Sequence, residues 1–281
     1  MVNLSNSAFM NTYKSLFDAL WSDYTQRNQA AQTIHDLFVA EGEDVINDHI
    51  AFRTFDHEKI NVGVLSQAFI NVGYRQMGEY HFEEKHLYAR HFELPGNDFA
   101  PRVFISQLKT GDFSEFLQQK VTQLVDRIPT EITRKPELLI SGNLWEELPS
   151  YDVYNRLREE SEYAAWLYLW GFTVNHFTVS VTHLKKLGSI EKTNEFLKTN
   201  GFMLNNSGGE IKGTPAELLE QSSTKANIIK MPFVEGLFEV PVTYYEFARR
   251  YPDSDGKLYP GFIAKSADKI FESTNFYSTK N

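Results

Sequence analysis

Asp48–Phe55 reads DHIAFRTF, and the β-branched and aromatic content of this run predicts a strand. Successive residues of a strand point to opposite faces, so His49, Ala51, Arg53 and Phe55 share one face. A second run of the same character, FTVNHFTVSV at Phe172–Val181, puts His176, Thr178 and Ser180 on one face of its own strand.

Outward from the first run, the sequence predicts a short helix ending near Gly73, then strand-like runs around Tyr80–Phe92 and Val103–Leu108. The order is β-α-β-β-β. Outward from the second run it recurs: a helix over Ser189–Asn200 ends at Gly201, and strand-like stretches follow near Met203, Ala226–Phe233 and Phe238–Phe247. His49 precedes Gly73 by 24 residues and His176 precedes Gly201 by 25, each glycine being followed by an aromatic, Tyr74 or Phe202. A glycine after a helix is common by itself. The matched spacing is what points to an internal repeat.

The rest of the chain reads as helical. Phe9, Tyr13, Phe17, Leu20 and Trp21 form one apolar face between Ser7 and Val39, and Phe116, Val121, Leu124 and Val125 form another after the first repeat. Tyr151–Trp170, which contains WLYLWG, is a further helical stretch whose aromatic stripe suits a core. The expected fold is α+β, one catalytic domain over 1–281. It comprises a helical lead (1–44), a first repeat (45–110), a helical connector (111–170), a second repeat (171–250) and a tail (251–281). The two β-α-β-β-β repeats are expected to form a curved, partly closed sheet around a metal site. In the tail, Pro252–Gly256 marks a turn, and Phe262, Ile270 and Phe271 suggest that it packs down.

Composition narrows the chemistry. With no cysteine among 281 residues, zinc-thiolate sites, iron-sulfur clusters and thiol nucleophiles are excluded, so a metal must be held by His, Asp or Glu. A formal charge of -9 with no dense basic patch argues against nucleic acid. No apolar run approaches the ~18 to 20 residues that a bilayer span needs, and the N-terminus lacks a signal-peptide layout, so no membrane partner and a cytoplasmic location are expected. An acidic protein that handles an acidic small molecule must supply positive charge locally, from a cation or an arginine.

A pseudo-twofold relating the repeats would bring His49 and His176 together, which suits a divalent ion bound by neutral imidazoles. The third ligand is expected on the last strand of a repeat. VPVTYYEF (240–247) supplies Glu246, whereas VFISQL (103–108) offers only Ser106 and Gln107. Glu239, the rival carboxylate, lies seven residues from Glu246, before Pro241, and would face the other side of an unbroken strand. Two histidines and a carboxylate on one face of a metal are the usual signature of iron(II) oxygenases, though zinc or manganese fits the same ligands. Arg53 lies about 13 Å beyond His49 along the strand. Folded back, it would grip the far carboxylate of a dicarboxylic acid chelated at the ion.

Each residue also has an ordinary reading. A lone strand histidine is more often hydrogen-bonded in a core or exposed, Glu246 could pair with Arg249 or Arg250, and Arg53 with an acidic neighbour. His81, His86 and His91 cannot all be ligands, since on one straight strand 81 and 91 face one way and 86 the other. His81 or His91 is the candidate pocket residue, and His81 is the one assigned. His35 in a helix, His57 in a turn and His183 past a strand end are read as structural or exposed. Gly208 and Gly209 mark a hairpin or loop and no phosphate loop.

DHIAFRTF (Asp48–Phe55), VNHFTVSV (Val174–Val181) and YYEFARRY (Tyr244–Tyr251) resemble the three signature segments of the 2-oxoadipate dioxygenase/decarboxylase family, also called D-2-hydroxyglutarate synthase, which is of the vicinal-oxygen-chelate, glyoxalase-like type. The resemblance runs from roughly residue 45 to 250, with the H-x-x-x-R pairing its most specific element; the chain is shorter than family members of established chemistry. It implies Fe(2+) on His49, His176 and Glu246, with nickel, zinc or manganese able to take the same site in a purified sample. It further implies that Arg53 recognises the distal carboxylate, and that a small 2-oxo acid reacts with O2, loses CO2 and becomes a 2-hydroxy acid. Two other functions use the same residues: a glyoxalase-like isomerase or hydrolase on zinc or nickel, and a non-catalytic small-molecule binding protein.

Overall fold

In a computed structural model, the described residues are Met10, Thr12–Trp145 and Leu148–Ile263. The expected Ile270 and Phe271 contacts of the tail, and Phe9 of the first helix, lie outside them.

Two helices come first among the described residues, α1 (Tyr13–Arg27) and α2 (Gln29–Ala40), separated by Asn28, whose side chain accepts from the Ala31 N–H at the start of α2. The first repeat follows as β1 (Asn47–Phe55), α3 (Val62–Ile70), β2 (Arg75–Phe82), β3 (Leu87–Glu93) and β4 (Arg102–Leu108). The connector holds α4 (Glu115–Asp126), α5 (Tyr151–Glu160) and α6 (Glu162–Trp170). The second repeat runs β5 (Val174–Ser180), α7 (Ile190–Thr199), β6 (Lys212–Thr214), β7 (Leu219–Ser223), then a hairpin of β8 (Ile228–Phe233) and β9 (Gly236–Pro241), and finally β10 (Tyr244–Arg250). Among the described residues no helix is long and apolar enough to cross a membrane.

Eight strands form one sheet in the order β2-β3-β4-β1-β5-β10-β7-β6, curled into a half-barrel. The two halves of that order are the same repeat read outward from the centre. At the centre, β1 and β5 pair antiparallel with His49 opposite Thr178, Ile50 opposite Phe177 and Ala51 opposite His176. This register is self-consistent under a twofold that exchanges His49 with His176 and Ala51 with Thr178. Beside it, β4 runs parallel to β1 with Phe104 opposite Ala51, and β10 runs parallel to β5 with Glu246 opposite Thr178. The residue in the first repeat that mirrors Glu246 is therefore Phe104, and not Ser106 or Gln107 as the strand sequence alone suggests.

Strand alternation sorts the side chains into two environments. Phe177, Tyr245 and Phe247 pack against the lead helices, with Trp21 and Phe177 rings 4.9 Å apart edge to face and Phe38 against Phe247 at 6.0 Å. Phe52 meets Phe69 of α3 in the same layer. His49, Arg53, His176, Tyr244 and Glu246 take the opposite, concave face.

The stretch expected near Met203 is reduced to an isolated bridge at Leu204, and the strand expected at Ala226–Phe233 forms at Ile228–Phe233 but lies outside the main sheet. The sheet strands of the second repeat are β6 and β7, while β8 and β9 form a separate, partly exposed ribbon held by Tyr151, which stacks on Phe238 at 3.6 Å. Phe238–Phe247 divides between β9 and β10. The indole N–H groups of Trp170 and Trp166 donate to Pro241 O at 3.0 Å and Val242 O at 2.5 Å, pinning the link between those strands. The helix α6 that carries both indoles ends at Gly171 (φ 63°), where an added Cβ would come within 2.0 Å of Gly142 O. Only glycine lets the backbone at Gly142 lie this close to the end of α6.

Candidate metal centre and substrate cavity

Residues 127 positions apart in sequence meet because β1 and β5 are sheet neighbours. His49, His176 and Glu246 are all buried, and one donor atom from each lies within 4.8 Å of the others. Glu246 Oε1 is 3.5 Å from His49 Nε2, and Oε2 is 3.3 Å from His176 Nε2.

What faces inward is set by the residue before each histidine. His49 Nδ1–H donates to Asp48 Oδ1 at 2.8 Å, and His176 Nδ1–H donates to Asn175 Oδ1 at 3.1 Å. Asp48 and Asn175 occupy mirror positions of the repeat, so the same device is used twice. With Nδ1 protonated, each Nε2 presents a lone pair to the centre, the arrangement that metal-binding histidines adopt. His49 Nε2 also receives the Thr178 hydroxyl at 3.1 Å.

His176 Nε2 and Glu246 Oε2 have no hydrogen-bond partner among the described residues. Two acceptors 3.3 Å apart in a water-poor site repel each other unless a cation or a proton lies between them. Burial pushes the Glu246 carboxyl up to about 8, against the Gln221 amide that donates to Oε1 at 2.5 Å, and holds the His176 imidazole well below its ordinary value. A divalent cation satisfies both groups and the chemistry of an N,N,O donor set, so the residues fit a transition metal.

Asp48 is itself anchored. Arg250 donates to it from Nε at 2.7 Å and from Nη2 at 2.9 Å, and its Nη1 donates to Tyr259 O and Gly261 O of the C-terminal strap. The strap brings Phe262 over the site. Phe262 lies edge-on to His49, ring centroids 4.9 Å apart, and against Phe104 at 4.8 Å.

Arg53 is buried, with its guanidinium 5.0 Å from the Tyr163 ring and 5.1 Å from the Trp166 ring. Tyr163 is fixed in turn: its hydroxyl donates to Ser106 O at 2.7 Å and accepts from Thr54 N–H at 3.1 Å. Arg53 lines a cavity of about 30 Å³ together with the three candidate ligands, Tyr244 and Phe262. It also lines a second pocket of about 280 Å³ with Lys85, Arg158 and Glu162. Burial raises the Glu162 carboxyl to about 7.

His81 does not belong to this site. It is exposed on β2 with its ring 5.2 Å from Tyr88, and does not line the cavity. His91 is buried behind the strap, 2.8 Å from the Tyr80 hydroxyl and 5.5 Å from the Phe262 ring, so it braces Phe262. His86 is half-exposed against Asp112 in a left-handed turn, and Glu239 is exposed on the ribbon. Sequence reading missed Asp48, Asn175 and Arg250, although the polar residue before each histidine was a signal available for the first two.

Comparison with known proteins agrees with the geometry. A rice protein named 2-oxoadipate dioxygenase/decarboxylase, chloroplastic/amyloplastic, is 34% identical over 286 residues, covering 94% of this chain and 79% of its own length. The crystal structure of rice hydroxyglutarate synthase in complex with 2-oxoadipate superposes with a TM-score of 0.87 at 32% identity, covering 98% of this chain and 95% of that one. A Shewanella frigidimarina structure that carries a provisional name as a hydrolase superposes at 0.86 with 44% identity, covering 90% of this chain and 98% of that one. A Ralstonia eutropha structure of the glyoxalase superfamily, 18% identical, shares the fold at a TM-score of 0.72. The sequence profile of the 2-oxoadipate dioxygenase/decarboxylase family matches residues 8–259, as far as the start of the strap, and the chain belongs to that family.

Proposed function

We propose that the protein is an iron(II)-dependent dioxygenase that converts 2-oxoadipate, or a 2-oxo dicarboxylic acid close to it, to the 2-hydroxy acid one carbon shorter. The balance is closed: 2-oxoadipate plus O2 gives 2-hydroxyglutarate plus CO2. The bond between the first two carbons breaks, one atom of O2 completes the new carboxylate and the other becomes the hydroxyl oxygen. The convergence of His49, His176 and Glu246 in a cavity that also contains Arg53 carries this reading.

Iron(II) held by the two imidazoles and the carboxylate would supply open positions for a chelating 2-oxo acid and for dioxygen, and a redox path by which the acid's own electrons reduce dioxygen. The chain does the rest. Asp48 and Asn175 orient the imidazoles, and Gln221 holds one carboxylate oxygen of Glu246. Arg53, held between two aromatic faces, offers a guanidinium to the distal carboxylate and so selects dicarboxylic acids. Phe262 and Phe104 exclude water on the strap side.

Purified protein reloaded with iron(II) is expected to consume O2 and release CO2 in equal amounts when given 2-oxoadipate. His49→Ala and Glu246→Ala are expected to lose both the activity and the bound metal found by elemental analysis. Turnover without oxygen, or on zinc or nickel alone, would replace this reading with a glyoxalase-like isomerase or hydrolase. Wild-type metal content in both variants would remove the site itself.

A further inference from the structure

Tyr244 carries a hydroxyl that the fold leaves unused. The residue is fully buried on β10, and its Oη has no hydrogen-bond partner among the described residues. Such a group costs stability, and a ligand that completes it removes that cost. The phenol of Tyr163, which lines the neighbouring pocket, is by contrast engaged by the Thr54 N–H and by Ser106.

The position of Tyr244 identifies the ligand end it meets. Two residues from Glu246 on one strand, it shares the face of that carboxylate and lines the same cavity. Its ring stacks on His176, centroids 4.7 Å apart with 28° between planes, and its backbone is held by the Tyr24 hydroxyl, which donates to Tyr244 O at 2.5 Å. The phenol therefore stands beside the metal ligands, with Arg53 as the other charged group in the cavity wall. A phenol hydroxyl is a hydrogen-bond donor. Tyr245 provides an internal contrast: its hydroxyl is also buried and unpartnered, but it faces Trp21 and Tyr24 on the helix side of the sheet.

We infer that Tyr244 is a substrate-binding residue whose hydroxyl donates a hydrogen bond to the oxygens at the metal-chelating end of the 2-oxo acid, while Arg53 holds the opposite end. This rests on the substrate class proposed above.

The test is titration calorimetry under anaerobic conditions on the iron(II)-loaded protein, with 2-oxoadipate and with 2-oxohexanoate, which lacks the distal carboxylate. Tyr244→Phe keeps the ring on His176 and is expected to retain metal and thermal stability while weakening both acids by a similar factor, roughly ten- to a hundredfold. Tyr245→Phe is expected to leave both affinities unchanged. Unaltered binding of both acids to Tyr244→Phe would overturn the assignment and leave the proposed function standing. Weakening of the diacid alone would move the hydroxyl to the distal end, and loss of metal would make its role structural; either result overturns it. Failure of the wild-type protein to bind either acid would bring down the substrate class and this inference with it.

Discussion

Asp48 and Arg250, 202 residues apart, form a buried two-point ion pair with Nε–Oδ2 at 2.7 Å and Nη2–Oδ1 at 2.9 Å. The same carboxylate receives the His49 N–H, so one pair joins the end of the second repeat to a metal ligand of the first. Truncating one partner of a buried pair strands the other charge, at a cost of roughly 3–5 kcal/mol. Arg250→Met is expected to lower stability by that order and to weaken metal binding about 10- to 100-fold, measured by chelator competition. Unchanged metal affinity would show that Asp48 orients His49 without help.

The pair also sets a pH dependence. Burial opposes ionisation of Asp48, but the Arg250 guanidinium and the His49 N–H outweigh it and hold the carboxyl well below the usual range. A lowered folded-state value contributes stability that is complete above the ordinary carboxyl value of about 4 and is lost as pH falls below it. Thermal melts of Asp48→Asn and wild type should therefore differ most above about pH 5 and converge in stronger acid. A gap that stays constant from pH 7 to 3 would contradict this.

Arg53 should control chain-end selection. Arg53→Ala is expected to raise KM for 2-oxoadipate roughly 10- to 100-fold and to change KM for 2-oxohexanoate little, because only the diacid loses a charge-assisted contact. Arg53→Lys should restore part of the loss, since an ammonium keeps the charge and lacks the planar fork. Equal effects on the two acids would remove the anchoring role.

Phe262 should limit the size of what enters. The cavity of about 30 Å³ has room for about two water molecules, so a six-carbon acid needs this wall or its neighbours to shift. Phe262→Ala is expected to improve kcat/KM for 2-oxo acids bulkier than 2-oxoadipate, relative to 2-oxoadipate itself, by roughly 10-fold. An unaltered ratio would mean that substrate enters and fits elsewhere.

Gly171 supports the site from behind. In Gly171→Ala the new methyl would meet Gly142 O at 2.0 Å with φ at 63°, so α6, which carries Tyr163 and Trp166, cannot dock unchanged. Destabilisation of roughly 2–4 kcal/mol is expected, a fall of roughly 5–15 °C in Tm. A melt within a degree or two of wild type would show that the connector relaxes.

The ligands were legible because strand parity and a repeated spacing are both written locally: two histidines, each a fixed distance before a helix-ending glycine. Other features depend on pairing between distant strands, which a linear reading does not contain. Phe104 becomes the counterpart of Glu246 only through the β1–β4 and β5–β10 registers. The strand β7 was unreadable for a different reason. Its residues LEQSS are all buried, yet those after Leu219 are polar, stabilised by partners such as Asn194 for Ser222 and Glu246 for Gln221, so no hydrophobic alternation marks it. The ribbon misled in the opposite sense, because its strand-like composition belongs to a hairpin outside the main sheet. His81 failed because β2 lies at the sheet edge, with most of its length exposed.

Phe104, standing where symmetry would repeat Glu246, also bears on how a doubled chain acquires a reaction. Matching carboxylates in both halves would encircle an ion with four side chains, the closed sphere of a structural site. With a phenyl group in one of those places, an ion held there would keep one flank for visiting molecules.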